Sequence, residues 1–190
     1  MAYSSALHRG KIMEDLLDQI ERASDAGLYY LALIGALALP DMCAAMEHSS
    51  GDSNQNRYRT WYEENMLGGY GEPPFGSDPG EAPWLSSLDC WKFRCSMLHQ
   101  GRGSHKQAPS RRLLFLEPGG GLTLHKGRFN GHENGVMLDI STFVEDMIAS
   151  VRQWQGKVAG TELYVTNAKS FIRRHPHGFP PFVAGTPVIA

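Results

Sequence analysis

The sequence predicts a mainly α protein: a bundle of four or five long helices with a small antiparallel β-sheet inserted after the fourth helix. Three observations predict it. Apolar residues recur every three or four positions through about the first hundred residues. The period shortens to two between about 112 and 140, where β-branched and leucine residues alternate. Helical spacing then returns over about 142–174. The length of 190 residues suits a single domain over 1–190, with its helical core at about 7–101 and 142–174 and an extended tail at 175–190.

The first helix is expected from about Leu7 to Ala23. Ile12, Leu16, Ile20 and Ala23 share one face, and Glu14, Asp15, Asp18 and Glu21 cover the other. A second helix, about Leu28 to His48, is apolar nearly all round in its first half, which marks a helix in the middle of a bundle. Pro40 is expected to kink or interrupt it, with Asp41 recapping the second part. Tyr58, Trp61, Tyr62 and Met66 form the stripe of a third helix over about 54–67. The Gly- and Pro-rich stretch 68–85 reads as a loop or flap. Ser86-x-x-Asp89 resembles a capping box and opens a fourth helix over about Ser87 to Gln100, closed by Gly101 and Gly103.

Leu113–Glu117 and Leu122–His125 read as a hairpin joined by Pro118-Gly119-Gly120-Gly121, and Val136, Leu138 and Ile140 as a third strand that Asp139 helps to end. A long helix is expected to start near Thr142-x-x-Glu145 and run to about Ala159, with a shorter one over about 161–174. The Pro-rich tail is expected to lie extended against the body.

Bulk composition narrows the function classes. Three cysteines without paired spacing speak against a disulfide framework and a cysteine zinc site. They fit a reducing, cytoplasmic setting. The apolar run Leu28 to Pro40 is shorter than a bilayer span and wrongly placed for a signal peptide, so no membrane role is expected. The formal net charge of -2 argues against a polybasic nucleic-acid binder, yet the average hides a division. Residues 1–89 hold 14 acids and 5 bases, whereas residues 90–116 hold 6 bases and no acid.

That basic stretch begins in the fourth helix. Leu88, Trp91, Cys95 and Leu98 form one apolar row, and Cys90, Phe93 and Met97 a second on nearly the opposite side. Arg94 projects between them. An arginine in that company needs a carboxylate, such as Asp15 or Asp18 of the first helix, or an anion. His99 projects about 140° away from Arg94, so one straight helix is not expected to aim both at the same atom unless its end unwinds or a second copy contributes. As a structural residue His99 would cap carbonyls at the helix end.

Arg94-x4-His99, with Gly101 close behind at the end of an apolar helix, resembles the catalytic motif of the HEPN superfamily (higher eukaryotes and prokaryotes nucleotide-binding). Cys95 stands where that motif usually has a polar residue, and the glycine comes one position late. The resemblance covers roughly 7–101, with support from the 142–159 helix. It implies a metal-independent endoribonuclease, without cofactor, working as a homodimer in which Arg94 and His99 of both chains converge on one interface cleft, where Arg94 holds and stabilises phosphate and His99 moves protons. It also implies toxin or phage-defence roles, with RNA and a cognate antitoxin as partners. The alternative is a non-catalytic HEPN-like module that binds nucleotide, RNA or protein. Arg102, His105, Lys106, Arg111 and Arg112 follow the motif without an acid and form the candidate RNA-tracking segment, unless they are a solvated loop balanced by the acidic first helix. Trp84 and Trp91 are expected in packing more than in base stacking. Arg173, Arg174, His175 and His177 read as a surface turn.

Overall fold

Leu17 and Ile20 are buried on one side of α1 (Glu14–Asp25), and the acids of that helix lie on the other. The computed structural model describes residues 12–75, 81–103, 112–129 and 135–190. The expected start of the first helix at Leu7 lies outside them.

The second helix, α2 (Tyr29–Met46), is the hub. It packs against α1, α3 (Gln55–Asn65), α4 (Ser87–Gln100), α5 (Ile140–Val158) and α6 (Glu162–Asn167). Its 18 residues are apolar enough, by length and composition, to cross a membrane, which the shorter run read from sequence did not suggest. Ala32, Leu33, Ala36, Leu37, Leu39 and Cys43 are buried among its neighbours, as in the central helix of a bundle. Pro40 lies within the helix and does not end it. Its missing N–H leaves one carbonyl of the preceding turn without an intrahelical donor, a local cost the surrounding packing overrides. Asp41 therefore caps nothing.

Local signals set the other helix ends. The Asn54 side chain accepts from Arg57 N at the start of α3. Ser86 and Asp89 form a complete capping box on α4, and Gly101 closes it in the left-handed region at φ 61°. Helix α5 begins earlier than Thr142. Asp139 is its cap, accepting from Thr142 N and Thr142 Oγ1, both at 2.8 Å. In the core Trp154 packs edge-on to Trp61 and Tyr164, and its Nε1 donates to Glu47 at 2.8 Å.

The sheet differs from expectation. Strands β1 (Arg112–Leu116), β2 (Gly127–Phe129) and β3 (Gly135–Asp139) lie in the order β1-β3-β2. β1 runs parallel to β3 and β2 antiparallel to it, so the sheet is mixed, not antiparallel. Residues 122–125 form no strand, and the glycines at 119–121 make no hairpin. The apolar Leu113, Val136 and Leu138 find cover by non-local pairing instead. From β2, Arg128 donates to the carbonyls of Ala82 and Pro83 and stands 5.4 Å over the Trp84 ring, while Lys126 donates to the Gly68 carbonyl. Both ends of the Gly/Pro-rich loop are thereby tied to the sheet.

Helix α6 runs into a 3-10 turn at Ala168–Ser170, shorter than the helix expected to 174. The tail folds on itself: β4 (Arg174–His175) pairs with β7 (Val188–Ile189), and β5 (Gly178–Phe179) with β6 (Val183–Ala184). It remains largely exposed, with Arg174 and Ile189 lining an open groove beside α1.

Candidate functional site

Helix α4 crosses α2 where Tyr58 ties the two together. The Tyr58 hydroxyl donates to the Leu37 carbonyl at 3.3 Å and meets Cys90 Sγ at 3.2 Å. Cys90 is fully buried, and burial pushes its thiol up to about 12, so it is a packing residue and not a nucleophile. Trp91 stands edge-on to Tyr58 at 5.0 Å and offers its face to the Arg94 guanidinium 5.1 Å away.

Arg94 finds its carboxylate on α2. Its Nη2 lies 2.5 Å from Asp41 Oδ2, with side chains 19% and 15% exposed. Three acids of α1 are engaged elsewhere: Glu14, Asp18 and Glu21 surround Arg152 of α5 at 3.1 to 3.4 Å. The expected pairing of Arg94 with Asp15 or Asp18 is thus replaced by Asp41. Burial raises the Asp41 carboxyl above the usual carboxylate range, and the Ser53 hydroxyl and Arg94 offset only part of that rise.

Arg94 and His99 meet within one chain. Arg94 Nη1 approaches His99 Nε2 to 3.4 Å and Cys95 Sγ to 3.8 Å. The wheel angle between the two positions is real, but the long arginine stem spans it, so neither an unwound helix end nor a second copy is required. His99 is exposed on the last turn. The result is a short row, Asp41–Arg94–His99, running from a shielded carboxylate to a solvent-facing imidazole. Such a row can present a positioned cation to an oxyanion beside a group able to take or give a proton.

The basic segment is only partly placed. Arg102 is exposed just past the helix end and lines a groove of about 460 Å³ with Tyr30, Ile34, Phe93, Met97 and Leu114; neither Arg94 nor His99 lines it. Arg112 is exposed at the start of β1. His105, Lys106 and Arg111 lie outside the described residues. Trp84 faces Arg128, and His175 packs on Phe179 at 4.7 Å. Among the described residues, no group of three or more His, Cys, Asp and Glu is placed to hold a metal ion.

Asp41 is the site residue that reading the sequence missed. Its position after Pro40 suggested a helix cap, and nothing local distinguishes a capping aspartate from one that answers a cation on another helix. The unpaired requirement of Arg94 was the available signal, and α2, as the central helix, was the place to look.

No protein-family model, curated protein or solved structure matches the chain.

Proposed function

We propose that the chain is a metal-independent endoribonuclease of HEPN type, with Arg94 and His99 as its catalytic pair. The observation that carries the reading is the 3.4 Å approach of Arg94 Nη1 to His99 Nε2 on the surface end of a well-capped helix. In the reaction His99 accepts the proton of an RNA 2′-OH, and the 2′-oxygen attacks the adjacent phosphorus. The 5′-oxygen leaves and takes up a proton, giving a 2′,3′-cyclic phosphate and a 5′-hydroxyl end. Arg94 stabilises the charge that builds on the non-bridging oxygens. Arg102 and Arg112 add sequence-independent attraction for the backbone. A homodimer fits the exposed apolar side chains Tyr30, Leu31 and Ile34 beside the α2–α4 groove.

The test is cleavage of single-stranded RNA in EDTA by wild type, His99→Ala and Arg94→Ala, with the ends of the products identified. Cleavage that survives chelation and disappears in both variants supports the reading. Equal activity in the variants, or loss of wild-type activity on chelation, overturns it.

One observation favours a second reading. The Asp41 carboxylate already answers the Arg94 charge, as a non-catalytic nucleotide- or RNA-binding module would tolerate. Under that reading RNA binds and stays intact.

A further inference from the structure

The pairing of Asp41 with Arg94 is incomplete in a way that bears on what Arg94 can bind. Carboxylates that hold an arginine firmly engage two parallel N–H groups. Here Asp41 Oδ2 meets Nη2, Nη1 faces His99, and Nε is buried with no hydrogen-bond partner. The fork therefore keeps donors that its partner does not use. Asp41 Oδ2 is itself buried without a well-directed hydrogen bond. Burial raises the Asp41 carboxyl more than Arg94 and Ser53 lower it, so the ionised group gains less from its neighbours than it loses on leaving water. This is a contact that an oxyanion of better geometry can replace.

We propose that Asp41 is a stand-in for a substrate phosphate: it holds the Arg94 guanidinium in the free protein and yields it to a phosphodiester on binding. The proposal rests on the reading that Arg94 receives a phosphate. A phosphodiester presents two non-bridging oxygens whose spacing matches the guanidinium fork, and the exchange replaces one anion at Arg94 by another. The Ser53 hydroxyl beside Asp41 lowers the cost of leaving its carboxylate without the guanidinium. Asp41 is then a positioning residue whose charge competes with the ligand, so its removal strengthens binding where a purely structural acid would weaken it or leave it unchanged.

The probe is a fluorescent thymidine octadeoxynucleotide, which carries phosphodiesters and no 2′-OH. Its affinity is compared in wild type, Asp41→Asn, Arg94→Gln and the double variant, each matched to wild type by circular dichroism. Asp41→Asn is expected to bind about tenfold more tightly, as removal of a competing charge at a close pair allows. That gain is expected to vanish in the double variant. Unchanged or weaker binding by folded Asp41→Asn, or a gain that persists without Arg94, overturns the proposal. A second measurement needs no variant: the side-chain carboxyl resonance of Asp41 in wild type should move as the oligonucleotide saturates. A resonance that stays in place overturns the exchange even if Asp41→Asn does not fold. RNA left intact by wild type would overturn the nuclease reading while leaving both oligonucleotide measurements in force.

Discussion

Arg94 Nη1 and His99 Nε2 stand 3.4 Å apart although their positions on α4 diverge by about 140°. The arginine makes the approach, guided by Asp41 and by the face of Trp91. His99 is exposed at the end of α4, so its substitution is separable from folding. His99→Ala is expected to change unfolding free energy by less than about 0.5 kcal/mol, as exposed substitutions do. Under the proposed nuclease reading, RNA cleavage is expected to fall by at least about a hundredfold. Urea titration and initial rates on the same preparation check both.

Arg94→Gln is expected to cost stability as well as cleavage. It leaves Asp41 shielded and without its cation, which is expected to cost about 1–3 kcal/mol in urea denaturation. Adding Asp41→Asn should recover part of that loss, because an amide pair buries no charge. A double variant less stable than the sum of the singles would contradict the ion pair.

Trp154 tests the core. It is 1% exposed, contacts Trp61 and Tyr164, and donates to Glu47. Trp154→Ala is expected to cost about 3–5 kcal/mol, and Trp154→Phe less, because the phenyl ring refills much of the space. Thermal or chemical unfolding reads both.

His125 is expected to make the fold pH-dependent. Its Nδ1 accepts from Asp139 N at 3.3 Å, which requires the neutral ring. Burial and Lys126 lower its pKa below the ordinary 6.5, against smaller opposing effects of Asp146 and Asp139. A base whose folded pKa is depressed binds fewer protons in the folded state. Its stability contribution is full above about 6.5 and is lost as pH falls from there through the folded value. Asn at 125 supplies an acceptor that does not titrate. His125→Asn should flatten the pH dependence of the unfolding free energy below neutrality, and an unchanged slope would exclude His125 as its source.

Gly135 tests the sheet. A Cβ there would run into the Phe129 ring and the Arg112 carbonyl, one group from each neighbouring strand. Gly135→Ala is expected to destabilise by about 1–3 kcal/mol, as overpacking does. Unfolding equilibria check it.

What was readable in the sequence follows the range of the forces. Helix α4 was expected at the bounds observed because Ser86, Asp89 and Gly101 act within a few residues. Thr142 was mistaken for a cap because Asp139 also ends β3, and the two roles overlap at one residue. The hairpin at 119–121 was expected from turn chemistry, but β1 found its partner in β3 across a long connection that no local pattern encodes. At the site, Arg94 and His99 stood out through type and spacing. Their contact depends on side-chain reach, and Asp41 depends on how two helices cross, so neither could be read from one helix alone.

The parallel pairing of β1 and β3 sets an order of events for the folding chain. Arg112 lies opposite Gly135, a register that no tight turn can nucleate. Strand β1 must therefore join β3 late, once the entropy of a long loop has been offset by other contacts. Strand β3, flanked by both other strands, passes directly into α5 at Asp139–Ile140, and α5 packs on α1, α2 and α3. Completing the sheet and docking the last long helix are then coupled through the shared backbone at Asp139–Ile140. Damage to either should be felt by both, and the bundle and its sheet should melt as a single cooperative unit.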